Sequence, residues 1–364
     1  MSAILAWLNH WLERIDPGAH RRIKGLRLVT AYGLAEALGT LKDISIDVPA
    51  GMAVGALAGN IALWASVSEA RSSRWQSSRD LMLLCLACAL GAATFALSAP
   101  WLQLHGQAWP KIVLVAGAFL AGYLRRYGVS GAGIGSQIYI GQLLACNAQL
   151  TPGDLPAIGI AVLIAMLSAM VPRLLSGPAE RPVLSPALPP TASRFRALSM
   201  PWALGLQAAV PSIIVVGLDA TVGLLESVWA ITACVYVVAG SAGGTRLRIR
   251  HRIVGTLIGV PLGLACLPLA QHEPMLLWSA ASLAMIVYAM ALPERYDVAC
   301  AAFAFALMVT MAVSGEHSVT VLLARAWETA LGCALAMAAA MVLFPLRDKT
   351  KDKRAAEVSP PKVR

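Results

Sequence analysis

Charge is what this sequence has least of. Asp, Glu, Lys and Arg make up 13% of its 364 residues, about half the share in a soluble domain. Hydrophobic residues make up 58%, and the mean hydropathy is +0.69. A soluble enzyme or binding module is excluded. Strict polar–apolar alternation is also missing, which argues against a transmembrane barrel. No G-x-x-x-x-G-K-[ST] loop occurs, so ATP is not hydrolysed through that motif. The six histidines (His10, His20, His105, His251, His272 and His317) sit in loops or at edges, none at metal-ligand spacing from another histidine or a cysteine. No metal site, no cofactor and no catalytic constellation is expected. The start of the chain lacks a basic leader and a small-residue cleavage site, so it does not read as a signal peptide.

What the chain does have is a series of apolar runs of about 17–25 residues, the length of a membrane-spanning helix. The pattern predicts an all-α integral membrane protein with about twelve spans, near 26–43, 48–68, 80–99, 109–125, 129–147, 154–172, 199–218, 226–242, 253–271, 274–292, 297–314 and 320–345. The seven cysteines lie in or beside these runs, Cys85-x-x-Cys88 inside one of them, and read as small buried residues. Drawn with the N-terminus inside, the segments on the inner side hold 26 of the 29 Lys and Arg residues. Lys42 and Lys111 fall outside, and Arg325 lies within the last span. That bias places both termini in the cytoplasm. The net charge of +10 is then explained by membrane orientation, with no need for nucleic acid.

Landmarks recur at a nearly constant offset. Arg79 and Arg252 open spans three and nine; Arg126-Tyr127 and Arg295-Tyr296 follow spans four and ten; Pro172 and Pro345 close spans six and twelve. The expected organisation is an interfacial amphipathic helix at 1–25, whose His20, Arg21, Arg22 and Lys24 face lipid headgroups. A first six-helix repeat at 26–175 and a Pro-rich cytoplasmic linker at 176–198 follow. A second repeat occupies 199–346, and a basic disordered tail 347–364. An even number of helices per repeat makes the repeats parallel.

In the second half, Trp229-Ala230-Ile231-Thr232 precedes Gly244-Thr245 and a run of alternate arginines, Arg246 to Arg252. Arg252-x-x-Gly255-Thr256-x-x-Gly259 follows, then Arg325-x-x-Glu328-x-x-x-Gly332 leading to Phe344-Pro345. In this order and spacing, over residues 205–345, the chain resembles the fusaric acid resistance protein-like family of the aromatic acid exporter superfamily. The first half matches only in outline, through Gly51, Gly55 and Gly59, the basic loop Arg71–Arg79 and Gly91; no Gly-Thr follows Arg79. The resemblance implies efflux of aromatic or weak organic acids across a bacterial inner membrane, in some members with a periplasmic adaptor protein. Longer members carry a soluble cytoplasmic region between the halves, where this chain has only the proline linker.

Ionisable residues inside spans are the first candidates for a transport site. Arg325 and Glu328 lie three apart, on one face of span twelve. Arg325 suits a substrate carboxylate, with Glu328 taking a proton or being displaced; alternatively they form an internal ion pair. Glu36, mid-span in the first helix, is a further candidate. Gln137, Tyr139 and Gln142, with Gln207, Thr232 and Tyr236, either line a pathway or bond helices together. Asp219 and Glu226 read as solvated loop residues. The arginines from Arg246 to Arg252 read as a topological edge, and Arg125-Arg126-Tyr127 and Arg295-Tyr296-Asp297 as helix-edge anchors.

The sequence therefore leads to an exporter of organic acids driven by membrane potential or proton motive force. A non-transporting membrane scaffold and an organic-anion channel are the alternatives. Expelling a monoanion from a negative interior gains about 2.3 kcal/mol per 100 mV, so neither ATP nor a coupling carboxylate is required.

Overall fold

The computed structural model describes residues 19–41, 54–69, 73–176, 200–239, 241–269, 272–292, 294–313, 315 and 319–343, together with residues 10, 13, 14 and 16. Among these residues there are twelve α-helices and no strand. In chain order they are α1 (His20–Gly39), α2 (Val54–Ser68), α3 (Arg74–Gln103), α4 (Ile112–Tyr123), α5 (Gly128–Asn147) and α6 (Leu155–Leu175). The second half supplies α7 (Met200–Val222), α8 (Ser227–Val237), α9 (Ala242–Ala265), α10 (Pro274–Ala291), α11 (Tyr296–Val313) and α12 (Val319–Ala338), the last running on into a π-helical turn at 339–343. Seven helical stretches are long and apolar enough to cross a membrane, which makes this a multi-pass, all-α membrane protein. The interfacial helix for the most part, the start of span two, most of the proline linker and the basic tail lie outside the described residues.

Helix boundaries depart from the hydropathy reading where polar caps extend or shorten a run. Helix α1 begins at His20, six residues before the expected start at 26, because both Asp16 carboxylate oxygens accept backbone N–H groups at its first turn, from Arg21 at 3.1 Å and Arg22 at 2.9 Å. The basic residues assigned to lipid headgroups are thereby drawn onto protein partners. Arg21 pairs with Glu294, Arg22 with Asp16, and Lys24 donates to the Glu69 carbonyl.

Helix α9 likewise starts early, at Ala242, four residues before the arginine run, capped by the Ser241 hydroxyl, which accepts the Gly244 N–H at 3.1 Å. The run expected in a loop is two turns of helix, and alternate arginines are therefore divided between two faces. Arg246 and Arg250 point outward, whereas Arg248 and Arg252, one turn apart, point toward α8 and α11. Helix α8, expected over 226–242, stops at Val237. Its 11 residues reach about 17 Å, roughly half the ~30 Å hydrocarbon core of a bilayer. Two guanidiniums close its end: Arg125 donates to the Val238 carbonyl at 2.8 Å and Arg248 at 3.1 Å. Both arginines thus hold a helix terminus besides marking an edge.

Glycines set which helices lie closest. Gly255 of α9 leaves so little room that a Cβ there would lie 2.7 Å from the Asp297 carbonyl of α11, and Gly259 and Gly263 continue the same seam. Gly91 and Gly141 do the same between α3 and α5, against the Ile138 and Cys88 carbonyls. Gly332 of α12 rests on the Ala230 carbonyl of α8. Small residues at four-residue spacing allow this backbone approach where no hydrophobic effect draws helices together.

Candidate transport site

The site is built from α8, α9, α11 and α12. Thr256 and Val260 follow Arg252 at one-turn intervals on one face of α9. Cys300, Phe303, Ala304, Leu307 and Met308 of α11 oppose them, and Trp229 of α8 with Arg325, Ala326 and Thr329 of α12 closes the remaining side. These side chains surround a narrow cleft of about 40 Å³. The cleft lies between two glycine-locked pairs: α9 seated on α11, and α12 seated on α8.

Its chemistry is cationic and aromatic, with no acid in the lining among the described residues. The Arg325 guanidinium stacks 4.5 Å from the Trp229 ring centroid, a cation–π contact. Trp229 meets Phe303 at 6.4 Å between centroids, and Phe303 in turn contacts Trp64 at 5.5 Å and Tyr288 at 6.0 Å. Aromatic rings from α2, α8, α10 and α11 therefore meet behind the cleft. Arg252 Nε and Trp229 Nε1 are buried donors with no hydrogen-bond partner among the described residues. Buried donors are nearly always satisfied, so these two call for an acceptor.

The Arg325 end of the cleft holds a polar network that corrects several expectations. Arg325 Nε donates to Glu226 Oε2 at 3.0 Å. Glu328 is fully buried and spends both oxygens on backbone, accepting the Leu225 and Glu226 N–H groups at 3.0 Å each. Glu328 thus caps the turn before α8, where a carboxylate is favoured by the exposed amides and the helix dipole. Glu226 was expected to be solvated and is instead the acidic partner of Arg325, with 18% of its side chain exposed. Asp219, also expected in solvent, is buried and accepts from Lys111 Nζ at 2.7 Å, while the same ammonium donates to Ser227 Oγ. The turn between α7 and α8 is tight enough to place Gly223 at φ +72°, a conformation that suits glycine.

The other predicted residues are placed elsewhere. Tyr139 of α5 donates to Thr232 of α8 at 2.8 Å, since the Thr232 hydroxyl is itself committed to the Val228 carbonyl. Tyr236 bonds Ser136 at 2.9 Å. These contacts join the two halves of the chain and do not line the cleft. Gln137 donates to the Trp64 carbonyl and the Ser68 hydroxyl, a bond between α5 and α2. Gln142 is buried beside Gly117. Glu36 is half-buried on α1 and hydrogen bonded to Tyr32, away from the cleft. Of the residues singled out in the sequence, Arg325, Trp229, Arg252 and Thr256 converge on the cleft, with Gly255 and Gly259 forming the seam beside it. Phe303 and Glu226 carried no sequence signal for this role: one is an apolar residue in an apolar run, the other a loop carboxylate.

Residues 211–339 match the family model described as fusaric acid resistance protein-like. The matched stretch contains every residue that lines the cleft. The match supports the resemblance read from the sequence and a membrane transporter-type role. No curated protein and no solved structure matches the chain.

Proposed function

We propose that this chain, which carries a fusaric acid resistance protein-like segment at residues 211–339, exports aromatic or related weak organic acids across a bacterial inner membrane. The cleft is the carboxylate site. The observation that carries the reading is the pairing of Arg252 and Arg325 with the Trp229 and Phe303 rings in one cleft. A guanidinium fork binds a carboxylate through two parallel hydrogen bonds, and the rings offer their faces to an aromatic body. Arg252, hydrogen bonded to Tyr296 and with no partner for its Nε among the described residues, is one station; Arg325 is the station at the opposite end.

The narrow interior of about 40 Å³ has room for water and not for an aromatic ring. Loading therefore needs the α8–α12 pair to move away from the α9–α11 pair. Each pair is held by glycine contacts, so each moves as a unit. Membrane potential or proton motive force supplies the drive; outward movement of a monoanion gains about 2.3 kcal/mol per 100 mV.

The reading includes twelve crossings in two parallel six-helix repeats with both termini in the cytoplasm. Matching pairings support it. Helices α3 and α5, α2 and α6, and α4 and α5 pack together in the first half, as do α9 and α11, α8 and α12, and α10 and α11 in the second. Two contacts between halves also correspond: α4 with α7, where Gly205 meets Phe119, and α10 with α1, where Gly25 meets Ile286. Helix α8 is short for a membrane crossing, a feature that points to a substrate path in transporters with internal repeats.

The test is flux in liposomes. Labelled benzoate, hydroxybenzoates and fusaric acid are supplied about three units above the carboxyl pKa of roughly 4, where the anion dominates and passive leakage is slow. Wild-type protein is expected to move them in response to an imposed potential. Arg252→Ala and Arg325→Ala are each expected to lower the rate at least tenfold at equal reconstitution. Flux equal to that of empty liposomes across the panel would overturn the substrate class.

A further inference from the structure

We infer that Glu226 is a built-in substitute for the substrate carboxylate, occupying Arg325 until an incoming anion displaces it. The inference rests on reading the cleft as the carboxylate site. Three observations carry it. First, Arg325 lines the cleft and lies over Trp229, yet its Nε donates to Glu226 Oε2 at 3.0 Å. Second, Glu328, three residues further along the same helix, is committed to the fold: it is fully buried and its two oxygens accept the Leu225 and Glu226 N–H groups. Third, those two bonds hang the backbone of Glu226 on α12 independently of its side chain. The carboxylate can therefore swing off Arg325 while the turn stays where it is.

The two glutamates thus divide one task. Glu328 fixes the turn, and Glu226 supplies a movable negative charge. The next residue, Ser227, accepts from Lys111 Nζ at 2.7 Å, which holds a second cation beside this turn. An internal ligand of this kind sets a threshold at the Arg325 end: a carboxylate competes there and a neutral aromatic does not. It also restores the ion pair as the substrate leaves, which shortens the stay of the anion at the exit.

The experiment measures benzoate binding to the detergent-purified full chain by titration calorimetry, alongside potential-driven benzoate flux in liposomes. Glu226→Gln keeps the shape and removes the competing charge; it is expected to bind benzoate at least tenfold more tightly and to turn over more slowly. Asp219→Asn removes a neighbouring charge held by Lys111 without vacating Arg325, and is expected to change affinity less than threefold. If wild-type protein binds benzoate and Glu226→Gln binds it no more tightly, the substitution role is overturned while the cleft reading stands. If Asp219→Asn tightens binding as much as Glu226→Gln, the effect is general electrostatics and the role is likewise overturned. Absence of benzoate binding in all variants overturns both readings. Should Glu226→Gln fold poorly, Glu226→Asp, one methylene short of Arg325, is expected to tighten binding by a smaller factor; unchanged or weaker binding in that variant overturns the role.

Discussion

At the scale of single residues, the sequence singled out Arg325 and Glu328 by the cost of placing charge among apolar residues. The structure separates their roles. Arg325 belongs to the cleft, and the fully buried Glu328 belongs to the fold, through the two backbone N–H groups it accepts. Removing that acceptor loses two hydrogen bonds to a charged group, at about 1.5–3 kcal/mol each. Glu328→Ala is therefore expected to lower the thermal midpoint of the purified protein and its abundance in the membrane. Arg325→Ala is expected to lower flux with abundance maintained. Comparable abundance of the two variants would contradict the division. The pairing of Arg325 with Glu226 was not legible, because the two are about a hundred residues apart in sequence and meet only when α12 packs on the turn before α8. Arg252 stood out as a motif residue, but its inward direction depends on α9 beginning at Ala242. Only then do Arg248 and Arg252 share a face, with Arg246 and Arg250 turned away.

Elements are governed here by glycine. Hydropathy placed an apolar run on each described helix, since a run of apolar residues must satisfy its backbone internally in lipid. It did not locate their ends, which depend on polar caps such as Asp16 at α1 and Ser241 at α9, or on the arginines that close α8 at Val238. The glycine seams make a direct comparison possible. A methyl group added at Gly255 meets the Asp297 carbonyl oxygen at 2.7 Å, whereas Gly217 of α7 has nothing within 4 Å. Gly255→Val is expected to cost at least about 1–3 kcal/mol through overpacking. Gly217→Ala is expected to be neutral or to gain up to about 1 kcal/mol from helix propensity. Thermal melts in detergent distinguish them, and equal midpoints would show that the α9–α11 seam is not tight.

For the whole molecule, the basic residues lie toward one end of the helices and the Lys111–Asp219–Glu226–Arg325 network toward the other. In the proposed topology the network faces the outside. With Cys266, the one cysteine that is not buried, replaced by alanine, His105→Cys and His272→Cys are expected to react with a membrane-impermeant maleimide on intact cells. Tyr127→Cys and Glu294→Cys are expected to react only after lysis. Labelling of all four from one side would overturn the twelve-crossing arrangement.

The sequence by itself determined the class of molecule, the positions of its helices and the residues whose charge is costly in a membrane. These follow from local quantities: hydropathy along the chain, charge at run edges and glycine spacing. Tertiary structure alone decided what those residues face. It turned Glu226 from a loop carboxylate into the partner of Arg325, gathered Trp229, Phe303, Arg252 and Arg325 around one cleft, and assigned Tyr139 and Thr232 to a bond between the halves. Each of these is a contact between distant segments, fixed by which helix surfaces let their backbones approach, and no local pattern encodes it.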